Sequence, residues 1–234
     1  MSGRAGNDQS RSCMVCGNKS VCFRQLNDIE LELTSANRVQ LSFRRGETIA
    51  KQGSIVTHIL FLKEGLAKIY KELSNNNDLI LNIFPSGNLI GLPALYGDKT
   101  FGYSVAAIDD SVVCAIDKVI FEKLIEQNGS FAVEVINSIN NCTQHNFEKI
   151  VSLTQKQLPG KMADTLLFLK DVVYQASSFR MGLSRKDLAE FTGISVMSVV
   201  RVLQDFKKEG IISESGGVFY ILSEERLKMI SQKG

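Results

Sequence analysis

Residues 183–212 read LSRKDLAEFTGISVMSVVRVLQDFKKEGII, and this stretch decides how the C-terminal third of the chain is built. Ser184 followed three residues later by Asp187 is a variant of the capping box, which predicts a short helix, SRKDLAEF, stopping at Thr192 and Gly193. Ser195 then caps a second helix, VMSVVRVLQDFKKEG. Two short helices joined by a tight glycine turn carry helix-turn-helix spacing. Small Ala189 permits close approach, Gly193 takes the turn, and Val199, Val202, Leu203 and Phe206 commit one face of the second helix to a core.

The opposite face of that helix presents Val196, Met197, Val200, Arg201, Gln204 and Lys208. Arg201 suits a bidentate contact to guanine, whereas Val196, Met197 and Val200 offer apolar contact, for example to thymine methyls. Ser195 and Ser198 stand where hydroxyls and helix N-terminal amides meet phosphate, and Ser184 and Lys208 complete the expected DNA-binding set. Beyond Gly210, IISESGGVFYIL predicts two strands around a Ser/Gly turn, a wing, followed by a last helix, SEERLKMI. Residues 158–234 hold 11 basic and 9 acidic residues, so affinity for DNA has to come from placement rather than bulk charge.

Leu158, Pro159 and Gly160 are expected to break the helix that precedes this module, since proline cannot continue the hydrogen-bond ladder. The module then opens with a helix from about Lys161 to Gln175 and a polar stretch, SSFRMG. From Ser130 to Gln157 neither Pro nor Gly interrupts a long helix. Along it Val135, Ile139, Cys142, Asn146, Ile150 and Leu153 recur at steps of three and four, a narrow seam suited to a partner helix and hence to a homodimer.

Between Arg38 and Ile116 the pattern changes to short strands punctuated by turns: RVQLSF, GETIA, HILFLKEGLAKIYKEL, the polar turn SNNN, DLILNIF, PSGN, SVAAIDD and SVVCAID. This predicts an antiparallel barrel or jelly roll. The fold class is therefore α+β, with an arm at 1–28, a β-barrel domain at 29–128, a dimerisation helix at 129–157 and a winged helix-turn-helix at 158–234. A net charge of +2 does not advertise a polyanion partner. No apolar run reaches the length of a membrane span, and MSGRAGNDQS lacks the apolar core of a signal peptide, so a cytoplasmic protein with no membrane partner is expected.

Thiols stay reduced in the cytosol, so five cysteines argue for metal or redox chemistry before disulfides. Cys13, Cys16 and Cys22 have the spacing C-x2-C-x5-C in a loop-rich arm that needs something other than a core to order it, and a metal would serve. Cys114, in the strand SVVCAI, would close a four-thiolate site and pin the arm to the barrel. This donor set accepts tetrahedral zinc (Zn2+) or an iron-sulfur cluster. Cys142 reads as a small buried hydrophobe on the seam, and His58 and His145 as ordinary polar residues.

The order of jelly roll, long helix and winged helix-turn-helix, with the stretch at 183–212, resembles the Crp/Fnr family over nearly the whole chain. Within that family the pattern Cys13, Cys16, Cys22 and Cys114 is similar to the oxygen-sensing Fnr branch. The resemblance implies a cyclic-nucleotide-binding-like barrel and a [4Fe-4S] cluster that favours the DNA-bound dimer without oxygen. It also implies a two-fold symmetric double-stranded DNA operator and contact with RNA polymerase. Cyclic-nucleotide-binding relatives place an acid and an arginine in a phosphate pocket where this chain has Leu92 and Tyr103, so no cyclic nucleotide is expected. In the recognition helix the branch presents Glu and Ser ahead of Arg, whereas Met197 and Val200 stand here and Arg201 alone matches. Asn146 replaces a seam carboxylate of the branch, which predicts dimerisation less dependent on the cluster. The alternatives are the same DNA-binding dimer with structural zinc or another effector, and a redox enzyme or electron carrier. Against an enzyme stands the lack of GxGxxG, GxxxxGK[ST], HExxH and a nucleophile elbow.

Overall fold

In chain order the N-terminal part carries β1 (Arg4–Ala5), α1 (Asp28–Ala36), β2 (Arg38–Phe43), β3 (Thr48–Ala50), β4 (His58–Glu64), β5 (Leu66–Lys71), β6 (Leu79–Pro85), β7 (Leu89–Ile90), β8 (Ser104–Ala107) and β9 (Ser111–Asp117). The computed structural model describes residues 13–73 and 78–234 and the backbone of Arg4–Ala5; the expected turn at 74–77 and the start of the arm fall outside these residues. The strands form two antiparallel sheets, ordered β1-β2-β9-β4-β7 and β3-β8-β5-β6. Branched and aromatic side chains such as Ile59, Leu62, Ile83, Val105 and Val113 fill the space between strands, as the short apolar runs require. Gly65 is forced by geometry: its φ is +94°, and a Cβ there would stand 2.3 Å from the Ser111 hydroxyl.

The arm departs from the expectation that it lacks a core. Cys22, Phe23 and Leu26 are buried. Phe23 packs edge-on to Phe61 and Phe121, with centroids at 5.5 and 6.4 Å, and stacks on Phe131 at 6.0 Å. Aromatic burial of this kind orders residues 22–26 without any metal, because one phenyl ring removes a large apolar area from water. Short 3-10 turns at Cys13–Val15 and Cys22–Gln25 complete the arm. Helix α1 follows, started by a reciprocal capping box in which the Asn27 side chain accepts from Glu30 N–H and Glu30 accepts from Asn27 N–H.

Helix α2 (Lys118–Gln127) leads into the long helix α3 (Gly129–Gln155), which ends two residues before the expected Gln157. Gln157 instead stands at the N-cap position of α4 (Leu158–Phe168), and Pro159 lies in its first turn, where the missing N–H leaves no bond unmade. Pro159 thus starts a helix as well as stopping one. Helix α4 runs into a π turn at Leu169–Val173, and the stretch SSFRMG contains a strand, β10 (Ser178–Arg180). The remaining elements are α5 (Arg185–Thr192), α6 (Val196–Lys208), β11 (Ile212–Ser215), β12 (Val218–Ile221) and α7 (Glu224–Lys233), with a wing sheet ordered β10-β12-β11. The chain divides into two compact units, residues up to 72 with 83–144, and residues 73–82 with 145–234, so the division falls inside α3.

Candidate functional site

The reading head is built by two caps and one turn. Ser184 Oγ accepts from Asp187 N–H at 3.1 Å, while Asp187 Oδ2 accepts from Ser184 N–H at 2.9 Å. Gly193 closes α5 at φ +65°, and a Cβ added there would lie 3.1 Å from Leu153 Cδ2. Ser195 Oγ accepts from Ser198 N–H at 3.1 Å and starts α6. Val199, Val202, Leu203 and Phe206 are buried, which leaves Val196, Met197, Val200, Arg201, Gln204 and Lys208 on the outer face. Met197 is 83% exposed, the largest apolar side chain on that face.

The wing supplies an electrostatic brace that local sequence patterns do not announce. Glu214 on β11 accepts from Arg185 Nη2 at 3.1 Å and from Lys207 Nζ at 2.7 Å. Lys207, then Arg185, holds the Glu214 carboxyl below the usual carboxylate range. Two cations beside the recognition face are therefore partly neutralised, and Lys208 and Arg201 remain exposed.

On α3, Ile150 and Asn146 are exposed, Ile139 is 37% exposed, and Cys142 and Leu153 are half-buried. Val135 is buried within its own chain at 3% exposure, while Ile136 and Phe147, which the spacing argument passed over, are exposed at 55% and 57%. Steps of four, three, four, four and three carry the six positions through 18 residues, five turns at about 3.6 residues each, so they share one face of α3; that face is covered by the chain itself at Val135 and open at Ile150.

Of the four cysteines expected to act together, three share a cavity and one stands apart. Cys13, Cys16 and Cys114 line a cavity of about 300 Å3 together with Arg38, Gln40, Lys63 and Phe61. Pairing of β2, β9 and β4 places Gln40 and Phe61 on either side of Cys114. The arm is tied to this wall by the Cys13 N–H donating to Ser35 Oγ at 2.7 Å and by Asn18 Nδ2 donating to the Lys63 carbonyl at 3.1 Å. Burial pushes the Cys114 thiol up, Arg38 and Lys63 oppose that shift, and Cys13 and Cys16 reinforce it. Arg38 Nη1 lies 3.7 Å from the Cys114 sulfur.

Cys22 faces elsewhere. It is buried, its sulfur lies 3.4 Å from Ser138 Oγ on α3, and burial pushes its thiol up despite that contact. Among the described residues no group of three or more His, Cys, Asp or Glu stands close enough to hold a metal ion. The donor chemistry nonetheless suits a thiolate-ligated centre at three of the four positions: three thiols share one cavity with Lys19, Arg38 and Lys63, cations that would balance thiolate charge. A fourth thiolate requires Cys22 to leave Ser138.

A family model of the cyclic nucleotide-binding domain matches residues 40–128, and one of the Crp-like helix-turn-helix domain matches residues 160–230. The chain belongs to the Crp/Fnr family of transcription regulators. The fumarate and nitrate reduction regulatory protein of Vibrio cholerae is 24% identical to this Crp/Fnr chain over 221 residues, covering 92% of it and 88% of that protein. Electron transport regulator A of Shewanella oneidensis is 22% identical over 225 residues, covering 94% and 90%. The structure of FixK2 from Bradyrhizobium japonicum aligns with a TM-score of 0.77 at 21% identity, covering 82% of this chain and 96% of that one. Regulators of the Crp/Fnr family bind DNA and act as dimers. Among the described residues no helix is long and apolar enough to cross a membrane.

In the barrel of this Crp/Fnr chain, Leu92 is buried in a short 3-10 turn that follows Gly91. The Tyr103 hydroxyl accepts from the Gly91 N–H at 3.3 Å, and burial pushes Tyr103 up to about 12. Tyr103 therefore stays neutral at this position and spends its oxygen on backbone.

Proposed function

We propose that this Crp/Fnr regulator is a cytoplasmic homodimer that senses oxygen or redox state through a [4Fe-4S] cluster on Cys13, Cys16, Cys22 and Cys114. In this reading it occupies a two-fold symmetric DNA operator while the cluster is intact. The observation that carries the reading is the convergence of Cys13, Cys16 and Cys114, from the arm and from β9, on one cavity flanked by Arg38 and Lys63. A bound cluster would supply an oxygen-labile tether between arm and barrel.

The chain's own residues do the rest. Arg38 and Lys63 favour thiolate over thiol at the cavity wall. Cys22 touches Ser138 of α3, so any change in its position acts on the long helix directly. Residues 129–157 act as the dimerisation helix, with Ile139, Cys142, Asn146, Ile150 and Leu153, together with Ile136 and Phe147, facing the partner; Val135 supports the helix from within its own chain. Residues 158–234 read DNA: Arg201 takes guanine, Val196, Met197 and Val200 give apolar contacts, and Ser184, Ser195, Ser198 and Lys208 serve phosphate. Half-sites lie about one helical turn apart. The arm spans 1–28 and the sensory barrel 29–128, and the DNA-bound dimer contacts RNA polymerase and performs no enzymatic turnover. A cyclic nucleotide is not the effector, because its phosphate would meet Leu92 and neutral Tyr103.

The separation of Cys22 from the other three thiols favours one competing reading, a dimer whose cysteines hold Zn2+ or no metal and whose signal is another effector. Anaerobic purification with iron, sulfide and zinc analysis, followed by DNA binding before and after air, separates the two. A brown protein that loses colour and operator occupancy in air, with both absent in Cys114→Ser, is the expected result. A colourless protein whose DNA affinity ignores air, or a Cys114→Ser variant indistinguishable from the parent, refutes the cluster reading.

A further inference from the structure

Helix α3 sends one lysine inward. Lys149 Nζ donates to the carbonyl oxygens of Ile80 and Leu81 at 2.7 and 3.0 Å, and it stands 3.3 Å from the centroid of the Phe191 ring. Phe191 is buried in α5, the first helix of the reading head. It also packs on Phe168 of α4 at 5.5 Å, and Phe168 stacks on His145 of α3 at 4.4 Å. A closed loop of contacts, His145 to Phe168 to Phe191 to Lys149, thus joins α3, α4 and α5.

A cleft of about 620 Å3 opens beside this loop, lined among others by Phe147, Val151 and Val172. Lys149 Nζ, set between two carbonyl oxygens of residues 80–81 and the ring of Phe191, is the polar contact that links α3 to α5 beside the cleft. Lys149 forms no ion pair among the described residues. The titratable groups around the cleft are His145, Glu148, Lys156, Lys161, Asp164 and Asp171. Burial and then the Lys149 charge push His145 down. Burial pushes Lys149 down to about 6.

We propose that Lys149 is a positioning residue for DNA binding, fixing α5, and through the Gly193 turn the recognition helix α6, against α3 and the backbone of residues 80–81. Phe147 and Ile150, beside it on α3, are exposed at 57% and 56%. A rotation of α3 that repacks this exposed face carries Lys149 with it, and the head follows. The proposal rests on DNA binding by the family and not on the cluster, so it stands or falls independently of oxygen sensing.

The test uses the full chain purified without oxygen, with a duplex selected from a random pool by the parent protein as the probe. Lys149→Met and Phe191→Leu are each expected to weaken DNA binding about tenfold while leaving the sedimentation coefficient unchanged. The double variant is expected to bind no worse than the weaker single, because both remove one interaction. Non-additive loss of DNA affinity at unchanged sedimentation is what a mere packing role does not predict; the titration of Lys149 reports its burial separately. The unfolded lysine titrates near about 10.4, so with a lower folded value the unfolded state binds more protons and resistance to urea rises with pH between about 6 and about 10.4. Lys149→Met abolishes that part of the rise. Affinities within twofold of the parent in both singles, or multiplicative losses in the double variant, overturn the proposal. Should Lys149→Met not fold, Phe191→Leu decides on the affinity criterion alone.

Discussion

Helices α5 and α6 and the cysteine arm at 13–27 are both only a few turns long, yet the chain orders them by different means. The helix pair carries its instructions in neighbouring residues: Ser184 with Asp187, Gly193, and Ser195 with Ser198 each satisfy backbone groups within three or four positions. Before Asn27 the arm has one such local bond among the described residues, the Ser20 hydroxyl accepting from the Phe23 N–H at 3.2 Å. It is held by a ring, Phe23, against Phe61, Phe121 and Phe131, which lie 38 to 108 residues further along the chain. Local capping makes a motif legible and portable, whereas remote aromatic burial makes a segment depend on the whole unit. Under the proposed function, that dependence is what would carry a change at the thiols to the elements of the core.

Phe23→Ala is the sharpest way to break this comparison. Deleting a fully packed ring costs about 3–5 kcal/mol, read as a lowered urea midpoint and as faster amide exchange over residues 13–26. A loss below about 1 kcal/mol would mean that the arm is a passenger. Arg201→Ala tests the outer face of α6: a loss of about 1–3 kcal/mol in DNA affinity with relaxed preference at one base pair is expected, and a uniform loss across sequences would move Arg201 from base reading to phosphate contact. Ser184→Ala should have the smallest effect, about 1 kcal/mol of stability, with amide exchange rising at the start of α5. An effect several times larger would show that the head relies on this cap more than on its core.

Much of the architecture was open to inspection in the sequence. Strand runs, the long uninterrupted helix and the helix-turn-helix follow from period, caps and turn residues, and all of them appear. Helix α1 was equally available from Asn27 and Glu30, a capping-box pair three residues apart that the cysteine-centred reading of the arm passed over. The strand at Ser178–Arg180 was hidden because its pairing partner Val218–Ile221 supplies the regularity that SSFRMG lacks. The candidate site was less legible. Spacing proposed four thiols as one set, and the fold brings Cys13, Cys16 and Cys114 to a common cavity while turning Cys22 to Ser138.

Nearest-neighbour chemistry by itself determined that two capped helices meet at Gly193 and which face of the second one stays wet, because hydrogen bonds across three or four residues do not depend on the rest of the chain. Tertiary structure alone decided that Arg38 and Lys63 border Cys114, that Glu214 braces Arg185 and Lys207, and that Lys149 reaches Phe191. Those contacts join residues separated by 7 to 76 positions, and their strength comes from desolvation and charge proximity, quantities that exist only once distant segments have been packed together.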